Sequence, residues 1–403
     1  MVAVLSHLLG LHNLQMAEDV VQESFVKALQ TWKLNGPPEN AEAWLLQVAK
    51  NKAIDLLRKQ ELHARFTKVE VQELTENADD FFHDQEIADS QLRMIFACCH
   101  PSLKQEDRVA LTLQIVSAFS MPEIARALLT NEAVVQKRLF RAKKMLKEKN
   151  ISLEIPVGRD LQQRLQTVYT VLYLLFNEGY SSLKSEEPIR KDLCGEAMRC
   201  CQLLTEHPLV KQPDAHALLA LMCLQASRFD SRINNQNEIV LLLEQDRDQW
   251  DRELIQLGLQ YLNLSSEGNK ISSYHIEAAI AAEHAMANTF AETNWQRLLQ
   301  FYDLLIETNP SPVTHLNRAV VVAQLGDVET AIASILSIHE IDRLVRTDHL
   351  YSAILGELYK RLSNTVKAKA YLTHAQQLTP SFAEKKLLQM RLDELVDRVR
   401  RES

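Results

Sequence analysis

The sequence predicts an all-α protein of several helical domains, and three observations carry that expectation. Apolar residues recur at spacings of three and four along nearly the whole chain, while alternating strand-like runs are rare. Glycine is scarce, 9 among 403 residues against about 7% in an average chain, which disfavours sheets rich in tight turns. An apolar content of 46% supplies packed cores, and at roughly 100–200 residues per domain a chain of this length holds two or three.

The elements follow in order. Through about Gln60 the pattern is helical: residues 17–32 place Ala17, Val21, Phe25, Ala28 and Trp32 on one face, with Glu18, Asp19, Gln22 and Glu23 elsewhere. "KLNGPPEN" (33–40) breaks that helix, because its Gly-Pro-Pro run cannot continue it. A second helix is predicted from about Ala41 to Lys59. Residues 61–90 lose the periodicity and turn acidic, as suits a linker, and helical order is expected to resume near Gln91. "ISLEIPVGRD" (151–160) marks a further joint at Pro156 and Gly158. The expected division is therefore 1–62, a linker 63–90, 91–150, a joint 151–160, and a helical extension 161–403.

The extension carries a weak internal repeat. In "SAILGELYKRLSNTVKAKAYLTHAQQLTP" (352–380), Leu355, Gly356, Tyr359, Ala368, Ala375 and Pro380 fall where a tetratricopeptide unit of about 34 residues needs them. A fainter copy spans 317–336, with Gly326 at the inter-helix turn and Ala331 in the second helix, and "ETNPSP" (307–312) resembles the exit of an earlier unit. Tetratricopeptide-like pairs are expected from about residue 295.

Composition excludes several functions. Glycine-rich phosphate cradles are missing, so nucleotide-binding α/β architectures find no support. No apolar run reaches the roughly 18 residues needed to span a membrane, and no signal peptide opens the chain. Cys98, Cys99, Cys194, Cys200, Cys201 and Cys223 lack paired CxxC spacing, which suggests buried thiols and a cytoplasmic address. No metal or cofactor is expected: adjacent helical cysteines such as those of "CCHP" (98–101) point about 100° apart and chelate one tetrahedral ion poorly. Tyr274, His275 and His284 come without a nucleophile–base–orienter set, so no enzyme is expected either.

The chain is acidic, with a net charge of −8, yet residues 132–149 gather seven cations against Glu132 and Glu148. That stretch reads as the second half of a helix-turn-helix. Ser120 and Glu123 have capping-box spacing, and Pro122 suits a first helical turn. Ile124, Ala125 and Leu128 give the first helix its buried side, Asn131 caps the second, and Val135 and Leu139 point inward. Glu132, Ala133, Gln136 and Lys137 are left near the exposed N-terminal part, where this motif meets base edges. Arg138, Arg141, Lys143 and Lys144 would lie along phosphates. Leu129 stands where a turn glycine is usual. An ordinary αα-hairpin with a solvated basic face is the alternative.

The order of motifs favours the DNA reading. "AEDVVQESFVKALQTW" and "NAEAWLLQVAKNKAIDLLRKQ" resemble region 2 of extracytoplasmic-function (ECF) sigma factors of the sigma-70 superfamily, and the helix-turn-helix falls where region 4 should. "IFACCHPSL", "VLYLLFNEGY", "LLLEQDRDQWD" and "SPVTHLNRAV" are similar to a subgroup with a long tetratricopeptide-like C-terminal extension. The resemblance implies an alternative sigma factor: a region 2 helical bundle (1–62), a region 4 helix-turn-helix (91–150) and a C-terminal array, with core RNA polymerase and promoter DNA as partners.

It also implies residue roles. Glu18, Asp19, Gln22 and Glu23 would dock on the polymerase β′ subunit. The loop with Asn35, Gly36 and Pro37 would hold a flipped −10 base, helped by Trp44, Asn51, Asp55 and Arg58 on the next helix; Asp55 could instead make an intrahelical ion pair, and Trp44 could be core. Helix 132–146 would read the −35 element. "MVAVLSHLLG" begins in mid-pattern for this family, so region 2 is expected to be short at its N-terminus. In the extension, Asp246, Arg247, Trp250 and Asp251 form either a structural network or a regulatory ligand cluster, and the repeats would take a protein or peptide regulator. From a different class comes a helix-turn-helix scaffold that binds DNA without polymerase.

Overall fold

The computed structural model describes residues 1–61, 84–128, 130–180, 189–234, 236 and 238–402. The expected linker over 63–83 and the turn residue Leu129 lie outside them. Within the described residues the chain is helical, and its only β-type pairing is an isolated bridge between Ile233 and Ile239. The residues divide into two compact units, Met1–Leu175 with Glu206–Val210, and Phe176–Thr205 with Lys211–Ser403. The change of unit thus falls inside a helix rather than at the Pro156–Gly158 joint.

The first unit opens with α1 (Val2–Leu9), a 3-10 turn (Leu11–Asn13), α2 (Leu14–Asn35) and α3 (Ala41–Glu61). Leu5, Leu8, Leu9, Ala17, Val20, Ala49, Ala53 and Leu57 form their shared core. The expected face of α2 needs correction. Its buried residues are Leu14, Ala17, Val20, Ser24 and Ala28, whereas Phe25 is 49% exposed. Ser24 is small and donates its hydroxyl to the Val20 carbonyl at 2.7 Å, so it fits the close approach of helices that a phenylalanine cannot. Gly36 ends α2 with φ 75°, a left-handed conformation that favours glycine, and its N–H donates to the Trp32 carbonyl at 2.9 Å.

Next come α4 (Asp84–Cys98), α5 (Gln105–Ile115), α6 (Met121–Ala127) and α7 (Glu132–Glu148). Helix α4 starts seven residues before the expected point near Gln91. The acidic residues that read as linker occupy its first turns, where carboxylates favour the helix dipole, and Glu86 pairs with Arg93. After α4, "CCHP" forms a tight turn: Arg108 donates to the carbonyls of His100 and Pro101 at 3.2 and 2.9 Å. All six cysteines are buried thiols. Burial pushes those of Cys99, Cys194 and Cys223 up to about 12.

Helix α8 (Gly158–Tyr180) carries the chain into the second unit, which holds α9 (Lys191–Glu206), α10 (Pro213–Ala226), α11 (Arg252–Ser265), α12 (Ser273–Met286), α13 (Trp295–Thr308), α14 (Pro312–Gln324), α15 (Val328–Leu336), α16 (Ile341–Thr347), α17 (His349–Arg361), α18 (Thr365–Leu378) and α19 (Phe382–Glu402). Successive helices pack as pairs, α14 with α15 and α17 with α18. Gly326 sits at the first turn and Ala331 is fully buried. In the second pair Leu355, Ala368 and Ala375 are fully buried. Gly356 makes the crossing possible, since a Cβ there would stand 2.7 Å from Leu372 Cγ and 3.2 Å from the Leu372 backbone nitrogen. The repeat signature therefore marks a packing need. No helix among the described residues is long and apolar enough to cross a membrane.

Candidate nucleic-acid and polymerase interfaces

The helix-turn-helix is built as its local sequence dictates. Ser120 N–H donates to Glu123 Oε2 at 2.7 Å and Glu123 N–H returns to Ser120 Oγ at 3.4 Å, fixing the start of α6. Asn131 Oδ1 accepts from Val134 N–H at 3.0 Å and caps α7. Val135, Leu139, Ala142 and Leu146, three or four residues apart, form the buried stripe of α7. The opposite side leaves Glu132, Ala133, Gln136 and Lys137 exposed on the first two turns. A rigid helix thus presents short and polar side chains at its N-terminal end, the geometry a major groove accepts.

The four cations expected along phosphates divide into two kinds. Lys144 is exposed and makes an i, i+4 pair to Glu148 at 3.6 Å, and Arg138 is half-buried. Arg141 is exposed too, with 51% of its side chain open, but it is tied to the fold: its Nε and Nη2 donate to Asp107 at 3.2 and 2.5 Å, and the Asp107 side chain is 5% exposed. That hydrogen bond, then the charge of Asp107, raises the Arg141 pKa further. Lys143 donates to both carboxylate oxygens of Glu18 on α2 at 2.8 Å. The sequence could not show either engagement, since the partners stand 34 and 125 residues away.

On α3, Asn51, Asp55 and Arg58 are all exposed, and Gln47 Nε2 donates to Asn51 Oδ1 at 3.0 Å. Asn35, Gly36 and Pro37 are exposed, but only Gly36 and Pro37 lie in the loop: Asn35, expected there, is the last residue of α2, because the helix runs on until Gly36 ends it. Trp44 is half-buried and meets Trp32 ring to ring, centroids 5.5 Å apart and planes tilted 56°, so it braces the α2–α3 corner.

The acidic set on α2 is also divided. Glu18 faces α7, Asp19 accepts from Gln15 at 3.1 Å, and Glu23 accepts a hydrogen bond from Lys52 of α3, which holds its carboxyl below the usual range. Gln22 is exposed. Sequence reasoning missed the neighbours of these residues: Phe25, Val26 and Leu29 are 49%, 52% and 73% exposed. The signal was present, because α2 has more apolar positions than one buried face can take.

The 246–251 cluster of the second unit is tied into the chain's own turns and helix ends. Asp246 Oδ1 accepts from Asp248 N–H, and Asp251 Oδ1 caps α11 through Leu254 N–H, both at 3.0 Å. Arg247 donates to the carbonyls that end α12, those of His284 and, at 2.6 Å, Ala287. Trp250 is buried, with the guanidinium carbons of Arg228 and Arg247 lying 5.2 and 4.7 Å from its ring centroid. Burial, then the two arginines, pushes the His284 pKa down to about 3.

Region 2 and region 4 topology, in that order and on these exposed faces, defines a sigma factor of the sigma-70 type. Family models for sigma-70 region 2 and sigma-70 region 4 match residues 1–62 and 93–146, and a family of unknown function, DUF6596, matches 164–266. The ECF RNA polymerase sigma-E factor of Haemophilus influenzae is 30% identical over 139 residues, 32% of this chain and 72% of the relative. RNA polymerase sigma factor SigV of Bacillus subtilis is 26% identical over 131 residues, 32% of this chain and 74% of the relative. An uncharacterized protein of Rhizobium meliloti, R00370, is 36% identical over 392 residues, 95% of this chain and 90% of the relative, and so shares the extension. No solved structure matches. The chain belongs to the ECF sigma factors, as an alternative sigma factor with a long C-terminal extension.

Proposed function

We propose that the chain binds core RNA polymerase through α2, places the exposed turns of α7 in the −35 major groove, and opens DNA at −10 with residues 35–37 and the exposed face of α3. The observation that carries this reading is the side-chain division on α7: packing fixes one stripe and leaves Glu132, Ala133, Gln136 and Lys137 to solvent. The polymerase would perform the phosphodiester chemistry; this chain contributes binding, position and strand opening. Extruding a base costs a few kcal/mol, which the shape of the loop and the polar side chains of Asn51 and Arg58 must repay. Asp55 shares that face, and Trp44 supports the loop from behind.

On α2, the apolar stripe Phe25, Val26 and Leu29 beside Asp19 and Gln22 suits a docking surface, with buried apolar area for affinity and carboxylates for orientation on a basic partner. Co-purification with core polymerase tests this. Wild type should be retained, and Phe25→Asp with Leu29→Asp should not be; equal retention would remove the docking role. Both positions are exposed, so the substitutions leave the core intact. For the extension, we assign a regulatory role, in which the helical pairs take up a protein or peptide. An open groove on α18 of about 570 Å3, lined by Val366, Lys369, Ala370, Thr373, His374 and Gln377, supports that reading.

A further inference from the structure

We infer that Arg228, Arg247, Trp250 and His284 of the second unit form a binding site for one oxyanion group, a carboxylate or a phosphate, of a small molecule. The inference goes beyond the sigma reading, since it involves neither polymerase nor DNA. The four residues come from three helix ends: Arg228 stands just past α10, Arg247 and Trp250 precede α11, and His284 lies in the last turn of α12. Closing those ends uses only part of their hydrogen-bonding capacity. Arg247 spends Nη1 on the His284 and Ala287 carbonyls, while its buried Nη2 has no hydrogen-bond partner. Trp250 Nε1 and His284 Nδ1 are likewise buried and unpartnered.

Charge is unbalanced at the same place. Arg228 donates its Nε to Gln245 Oε1, an uncharged acceptor, at 3.1 Å, and both arginines lie against the Trp250 ring. Among the described residues neither guanidinium forms an ion pair, and Glu292 acts on Arg247 only from a distance. Burial lowers the pKa of both arginines, and the charge of Arg228 adds to the effect on Arg247. A buried cation without a counter-ion and buried N–H groups without acceptors each cost free energy, and one anion relieves both. Guanidinium N–H groups suit the oxygens of a carboxylate or phosphate, an indole can only donate, and neutral His284 can offer Nδ1–H. These donors call for an anion rich in acceptor oxygens. Arg247 and Trp250 are 8% and 2% exposed, so only a compact group reaches them, from the half-buried edge of Arg228 and His284.

The test uses the full chain with isotope-labelled indole nitrogens, the Trp250 resonance being assigned by its loss in Trp250→Phe. Sodium phosphate and sodium acetate are titrated separately, with sodium chloride holding the ionic strength constant. The Trp250 Nε1–H resonance should move and saturate in the millimolar range or below, within the ceiling for ligands of so few atoms. Saturation by phosphate alone would assign a phosphorylated molecule, and by acetate alone a carboxylic acid; either upholds the site. Arg228→Gln should weaken binding about tenfold through loss of a nearby charge, and Arg228→Lys should keep most of it. Arg247→Lys keeps the charge and a donor for the helix carbonyls but loses the second donor, so it too should weaken binding about tenfold. No saturable shift with either anion, an equal shift with chloride alone, or wild-type affinity in both Arg228→Gln and Arg247→Lys would overturn the site.

Discussion

Two charged clusters look alike in sequence and end in opposite surroundings. In the second unit, "EQDRDQW" turns inward: its aspartates cap the chain's own turns, Arg247 closes α12, and Trp250 lies buried between two guanidiniums. In the first unit, α7 leaves the residues of its first two turns exposed, while further along Arg141 and Lys143 reach carboxylates of α5 and α2. Density of charge therefore does not mark a binding face. What separates the clusters is whether their donors are consumed by backbone carbonyls and buried carboxylates or left to solvent.

The comparison can be broken most forcefully at Trp250. Trp250→Ala should destabilise the second unit by about 3–5 kcal/mol, the cost of a large core truncation, in denaturant unfolding of the full chain. A loss below about 1 kcal/mol would show that the cluster is not a core.

Acid comes next. Burial, then the charges of Arg228 and Arg247, lowers the His284 pKa from an ordinary 6.5 to about 3. The unfolded chain thus takes up the proton first, so stability is full above about pH 6.5 and declines as pH falls towards 3. Thermal midpoints measured between pH 7 and 4 should fall, and less steeply in His284→Gln.

The smallest effect sharpens the division within α7. Arg138→Ala should leave the thermal midpoint unchanged and weaken DNA binding with a shallower salt dependence, as loss of a phosphate contact does. Arg141→Ala should lower the midpoint, because it strands the nearly buried carboxylate of Asp107. Equal midpoints for the two variants would return Arg141 to the phosphate set.

What the sequence made legible was local. The capping box at Ser120, the Asn131 cap and the Val135–Leu139 stripe depend on residues within one or two turns, and the structure places them as read. The repeat residues Leu355, Gly356 and Ala368 were legible because tight helix crossing demands small side chains at fixed intervals. The misread parts depend on distant partners or on competition between faces. Phe25 and Ser24 are neighbours on α2, and only the approach of other helices decides that the smaller one goes inside. Acidic composition at 84–90 resembled a linker because a carboxylate-rich first helical turn has the same composition. Glu18 and Arg141 carried the right charge for an interface, but nothing within a turn of either revealed its partner.

As an alternative sigma factor, this chain directs polymerase to promoters. Run-off transcription with purified bacterial core polymerase on a promoter library tests it most directly, comparing the full chain with its Gln136→Ala variant. Promoter-specific transcripts are expected from the full chain, and an altered base preference within the −35 element from the variant. No transcript above core polymerase alone, or a uniform loss on every sequence for Gln136→Ala, would contradict it.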